Sequence, residues 1–238
     1  SLLIARSITA SLAKLEAATR TLGAGDLDTP MPTIPGDDEV AHLATAFETM
    51  RTELRAYTQE LQQTTAAKER IESELQIART IQMSLVPKTF PPFPDRDDFD
   101  LYALLEPARE IGGDFYDFFM IDDEHLGVVI GDVSGKGVPA ALFMAVTRTF
   151  LKALWREEHA PGTTLARLNN ELARDNDSSM FATLFCAIIH LDTGVCRYAS
   201  GGHNPPFIVH DDRRVSQVPR VKGTAIGVFP GLQFTEGE

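Results

Sequence analysis

Two short segments carry the residues best suited to chemistry. The first is Ile111-Gly112-Gly113-Asp114-Phe115-Tyr116-Asp117, and the second is Gly131-Asp132-Val133-Ser134-Gly135-Lys136-Gly137. Each sets an aspartate beside glycine, and the second follows an apolar run, Leu126 to Ile130, that reads as a buried strand. Glycine next to aspartate at a strand end lets the backbone come close to an ion. It also frees carbonyls to join carboxylates as hard-oxygen ligands. Such donors suit magnesium or manganese rather than zinc, and no cysteine or histidine cluster competes. Taken only as structure, the same segments are a pair of Asp-Gly turns, and both readings stand at this point.

Rival motifs fail on spacing. A phosphate-binding P-loop needs Ser or Thr directly after its lysine, but Gly137 follows Lys136, and Gly131 and Gly135 lie too close together for its two glycines. A nucleophile elbow needs glycine two residues before the serine, where Ser134 has Asp132. His203, in Gly201-Gly202-His203-Asn204-Pro205-Pro206, is a possible ligand or base. A histidine in such a turn reads first as a structural hydrogen bonder.

The elements that must position these residues follow from periodicity. Pro139 to about His159 predicts a helix with Leu142, Val146, Phe150, Ala153 and Leu154 inward. Pro161-Gly162 breaks it, and Thr163 starts another helix carrying Leu165, Leu168 and Leu172. Phe181 to Leu191 and Val195 to Ala199 predict a hairpin about Asp192-Thr193-Gly194, and Phe207 to His210 a further strand. A three-residue loop would set His190 opposite Cys196 and Cys186 opposite Ser200. The thiols are then roughly 13 Å apart, too far for a disulfide. Reduced, buried cysteines of a cytosolic protein are the expectation.

The front half reads as helix. Ile8, Leu12, Leu15, Thr19 and Leu22 recur at helical spacing until Gly23-Ala24-Gly25-Asp26 stops them. Residues 26 to 37 are turn-rich, yet Leu27, Met31 and Ile34 would pack against something apolar. Val40, Leu43, Phe47, Met50, Leu54, Tyr57, Leu61 and Thr64 then alternate spacings of three and four. The frame continues through Lys68, Ile71, Leu75, Ala78, Gln82 and Leu85. About six heptads in one register make a narrow seam, which implies a left-handed coiled coil weakened locally by Lys68 and Gln82.

Composition bounds the function. The chain has 238 residues and a net charge of −12, so a nucleic-acid backbone would be repelled. No apolar run is long enough to span a membrane. Ser1-Leu2-Leu3-Ile4-Ala5 before Arg6 reads either as the cytoplasmic end of a spanning helix or as a helix start with one apolar turn. Pro87, Pro91, Pro92 and Pro94 with nearby aspartates mark a stiff acidic link, and a boundary is placed near residue 90.

Arg6-x-Ile8, Gly25-Asp26-Leu27, Asp38-Glu39-Val40 and the series Leu43, Phe47, Met50 resemble a HAMP domain. That resemblance implies a parallel dimeric four-helix module just inside a membrane. One departure is Ser11, where the family usually has proline before the residue that Leu12 matches.

The rest resembles the SpoIIE/RsbU-type branch of the metal-dependent PPM serine/threonine phosphatases. The match runs from Ala78-Arg79-x-Ile81-Gln82-x-x-Leu85-x-Pro87 through both aspartate segments and Pro139-Ala140-Ala141-Leu142. Met180-Phe181-Ala182-Thr183-Leu184 and Gly202-His203-Asn204-Pro205-Pro206 complete it. The resemblance implies an α+β chain: a HAMP bundle at 1–56, a coiled-coil switch helix at 57–90, and at 91–238 an antiparallel β-sandwich flanked by helices, lacking its last strands. It implies Asp114 and Asp132 as catalytic metal-binding carboxylates, the Val133 main-chain carbonyl as a further ligand, and a binuclear Mn2+ or Mg2+ centre in the complete protein. Arg79 and Gln82 become regulatory residues. The family's later acidic ligands, the first in a segment like Tyr-Thr-Asp-Gly, do not occur, so the chain is expected to be part of a longer protein and a weak or inactive phosphatase. The expected function is signal-regulated hydrolysis of phosphoserine or phosphothreonine on an anti-anti-sigma (STAS-type) protein, by a cytoplasmic homodimer whose parent is anchored at the inner face of the membrane. The alternative is a non-catalytic dimeric relay with a phosphatase-like binding domain.

Overall fold

The computed structural model describes residues 2–106, 111–157 and 160–238, with side chains from Ser7 onward. The side chains of Leu2 to Arg6 and the expected helix end at His159 lie outside the described residues. The chain divides into two compact units, Ser1–Glu72 and Ser73–Glu238.

In the first unit, α1 (Leu2–Gly23) ends where Gly25 adopts φ +93°, and α2 (Glu39–Leu85) begins at Asp38. The Asp38 carboxylate accepts the Val40 and Ala41 amides, satisfying donors that the first helical turn leaves open. Between the helices, Met31 is buried against Leu15 and Ala44, with Ile34, Leu22 and Phe47 around it. Glu48 accepts the Met31 amide at 2.9 Å. It also holds Arg51, whose guanidinium donates to the Leu27 carbonyl. The connector is thus pinned by one apolar plug and one charged clasp.

The second unit is built on an antiparallel sheet in the order β1-β2-β3-β4-β7, with β1 Phe115–Met120, β2 His125–Val133, β3 Ala182–His190, β4 Cys196–Gly201 and β7 Glu236–Gly237. β5 (Phe207–Val209) and β6 (Val215–Gln217) form a separate two-stranded sheet. Alternation along β3 explains the layers. Leu184, Cys186 and Ile188 enter one core, shared with α3 (Val138–Leu154) and α4 (Pro161–Arg174). Phe185 and Ala187 enter another with Tyr198, Val218 and Val221. A strand buried on both faces reads as a continuous apolar run, as β3 does.

Four expectations are corrected. In α3 the buried face is Ala140, Met144, Thr147 and Leu151, while Leu142, Val146 and Phe150 are exposed. The helix carries apolar residues on two faces, so periodicity allowed either stripe to turn inward. Pro161-Gly162 opens α4 rather than breaking the chain ahead of it, because proline at the first helical position sacrifices only an amide that has no partner there. The β3–β4 hairpin pairs Cys186 with Ala199 and Ile189 with Cys196. His190 bonds Val195 across a longer loop in which Gly194 takes φ +69°, so the expected register was one residue off. Both cysteines are free, and burial pushes the Cys186 thiol far above its ordinary pKa. Lastly, Gln82 is not a weak point in a coiled-coil seam: it is buried within the second unit.

Candidate functional site

Asp132 is the penultimate residue of β2, not a turn residue, and Asp114 directly precedes β1. The β1–β2 register pairs Phe115 with Gly131, which brings the two aspartates to the same end of the sheet. Glycine at 131 is required by packing rather than by an ion: a Cβ there would meet Leu184 at 2.3 Å and the Phe115 ring at 2.7 Å. Gly113 is the glycine that serves the site. A Cβ on it would lie 2.7 Å from the Val133 carbonyl oxygen, so only glycine lets the Asp114 segment close onto that oxygen.

The two carboxylates lie close together, and partial burial followed by the neighbouring Asp132 raises the Asp114 pKa. Two like charges so placed call for a proton or a cation between them. Both side chains are exposed at the surface. Two carboxylates and a carbonyl make a hard-oxygen set that fits Mg2+ or Mn2+. Among the described residues, no group of three or more His, Cys, Asp or Glu is placed to hold a metal ion.

Asp117 stands apart from this pair. It faces the helices, where Arg148 Nη2 lies 2.8 Å from Oδ2, and burial raises its pKa against the pull of Arg148 and Lys152. The alternation expected of a strand accounts for that separation.

Gln82 reaches the site from behind. Its amide donates to the Gly112 carbonyl at 2.5 Å, and Tyr116 donates to the Pro87 carbonyl at 2.6 Å, tying the end of α2 to the start of β1. Arg79, on the same helix, has no ion-pair partner among the described residues. His203 lies near Asp132, half-buried, with Nδ1 2.9 Å from the Thr183 hydroxyl. Sequence reasoning missed Thr183 altogether. Its only signal was its place in the Met180-Phe181-Ala182-Thr183-Leu184 segment.

Sequence comparison decides the family. The family model of Stage II sporulation protein E (SpoIIE) matches residues 122–238, and the HAMP domain model matches residues 3–56. The chain joins a HAMP domain to a SpoIIE-family, PPM-type domain. Protein IcfG of Synechocystis sp. is 31% identical over 95% of this chain and 39% of its own length. Phosphoserine phosphatase RsbU of Bacillus subtilis is 32% identical over 75% of this chain and 52% of its own length. The chain therefore spans about half or less of the length of these relatives. The SiaA-PP2C domain of Pseudomonas aeruginosa shares the fold, with a TM-score of 0.56 at 20% identity over 72% of this chain and 67% of that one. The SpoIIE match includes Asp132, Val133 and His203, whereas Asp114 lies ahead of it. No described helix is long and apolar enough to cross a membrane.

Proposed function

We propose that this chain is the signal-coupled catalytic part of a metal-dependent phosphatase acting on phosphoserine or phosphothreonine of a regulatory protein, of the anti-anti-sigma (STAS) type. The observation that carries this reading is the β1–β2 register, which brings Asp114 and Asp132 to one end of the sheet with Gly113 close against the Val133 carbonyl. The names of the relatives, phosphoserine phosphatases RsbU and RsbP, support the chemistry.

Asp114, Asp132 and the Val133 carbonyl would hold a divalent cation, Mn2+ or Mg2+. When bound, such an ion lowers the pKa of its water to give a nucleophile for in-line attack at phosphorus. The residues themselves do three things. They gather negative charge that only a cation or proton relieves, they leave the site open to a side chain on another protein, and they orient ligands from two strand ends. A nucleophilic thiol is not offered, since Cys186 is buried with its pKa raised. Two carboxylates fall short of the ligands needed for two ions about 3.5–4 Å apart, so these residues hold one ion weakly and turnover by this chain is slow. Arg79 and Gln82 belong to the control element, and the HAMP unit supplies the signal as a parallel dimer.

The test is manganese-dependent phosphate release from a phosphoserine-bearing STAS-domain protein. Release that requires Mn2+ and is lost in Asp132→Ala is the expected result. Release retained in Asp132→Ala sinks the site assignment. Tight binding of the phosphoprotein without any release points to the relay.

A further inference from the structure

Thr183 sits directly opposite Asp132 in the β2–β3 ladder, so both side chains leave the same face of the sheet. The Thr183 hydroxyl lies 3.5 Å from the Asp132 carbonyl oxygen and 2.9 Å from His203 Nδ1. The turn that carries His203 is itself held. Ser200 Oγ accepts the His203 amide and donates to the His203 carbonyl, each at 3.1 Å. Gly202 takes φ +76°, and a Cβ there would meet the Ala225 amide nitrogen at 2.8 Å, so the turn requires glycine at this position. Asp132 lies at an exposed strand end, where ladders fray, and it has no ion-pair partner among the described residues.

We propose that His203 is a positioning residue for Asp132, acting through the Thr183 hydroxyl. The rigid β4 turn holds the imidazole, the imidazole holds the hydroxyl, and the hydroxyl holds the β2 strand end that aims the carboxylate. This deepens the proposed metal-site reading and rests on it. Outer partners that orient a metal ligand are typically worth about 10–100-fold in affinity, and a link through one hydroxyl is expected at the lower end.

The probe is Mn2+ alone, titrated into the full chain and read as loss of the free-ion electron paramagnetic resonance signal. Thr183→Val keeps size and β preference while deleting the hydroxyl, and is expected to weaken Mn2+ binding at least about fivefold. His203→Ala is expected to do the same, and the double variant to be no weaker than either single one. His203→Asn, whose amide reaches the position of Nδ1, restores binding, whereas His203→Gln, whose amide reaches that of Nε2, does not. Hydrogen exchange at the Asp132 and Val133 amides rises in His203→Ala and Thr183→Val. If His203→Ala does not fold, Thr183→Val carries the same test. A less than twofold change in both, additive losses in the double variant, or equal behaviour of Asn and Ala at position 203 overturns the proposal. Asp132→Asn separates the two readings. If it leaves binding unchanged, the metal site falls and this inference with it. If it weakens binding while Thr183→Val does not, this inference alone falls.

Discussion

Gln82 donates its side-chain amide to the carbonyl of Gly112, two residues before Asp114. The glutamine is only 6% exposed, so its amide has little access to water as a substitute partner. A change in the last turns of α2 is therefore felt at the backbone that presents Asp114. Gln82→Ala removes the bond to this partly covered carbonyl, at a cost of about 0.5–1.5 kcal/mol. Gln82→Glu sets a carboxylate against a carbonyl and is expected to lose more at neutral pH. Thermal melting ranks the three forms, and Mn2+ affinity is expected to follow the same order. An unchanged melt and an unchanged affinity in Gln82→Ala would show that this bond positions nothing.

The HAMP connector is expected to let go in acid. Bonds from Arg51 and then from the Met31 amide hold the Glu48 carboxyl at a pKa of about 2, well below the ordinary glutamate range. A depressed carboxylate stabilises the fold above its unfolded pKa and loses that contribution as pH falls through the folded one. The window thus runs from about pH 4.5 down to about pH 2. The Met31 amide proton, which donates to Glu48, reports it directly by nuclear magnetic resonance. Its shift is expected to titrate near pH 2 and to stay flat in Glu48→Gln. A midpoint near 4.5 would mean that the clasp does not form.

Asp117 and Arg148 behave differently, because Asp117 is buried and Arg148 is largely covered. Removing one partner of a buried pair leaves the other charge without compensation, which typically costs 3–5 kcal/mol. Arg148→Met is expected to destabilise the sheet unit by about that amount at neutral pH. The loss shrinks toward acid, since the folded-state pKa of Asp117 is already raised and protonation removes the stranded charge. Urea unfolding of Arg148→Met at neutral and at acid pH checks the sign. A loss independent of pH would mean that the arginine contributes by packing alone.

Local signals explain what the sequence disclosed. Gly23 to Asp26 stops α1, and Asp38 starts α2, because helix ends are written in caps and glycines. The aspartate segments stood out because each sets glycine beside aspartate, a pattern that an ordinary Asp-Gly turn shares. Three features were hidden for physical reasons. α3 is apolar on both sides, so its period did not reveal which stripe meets the sheet. The β3–β4 register turned on whether Leu191 belongs to the strand or to the loop, a choice set by cross-strand pairing. Thr183 carries no signal of its own; its meaning comes from lying opposite Asp132 and beside His203, residues far away in the chain.

The last prediction is dimerisation through α2, a proposal about two copies of this chain. Within the first unit, Leu43, Met50, Leu54, Leu61 and Ile71 keep heptad spacing, yet each is between 40% and 58% exposed in a single chain. So regular an apolar stripe is buried most economically against an identical helix, with knobs from one filling holes in the other. Burying a leucine side chain fully contributes about 1.5–3 kcal/mol, so a seam half open in the monomer gains several kcal/mol on pairing. Changing Leu54 and Leu61 together to aspartate sets charges against their own symmetry mates and is expected to give monomers. Sedimentation velocity at micromolar concentration separates the outcomes. A dimer for the unaltered chain and a monomer for the double variant is the expected pair of results. A monomer for the unaltered chain refutes the seam. A dimer that survives both aspartates places the interface on another surface, such as the exposed Leu142, Val146 and Phe150 stripe of α3.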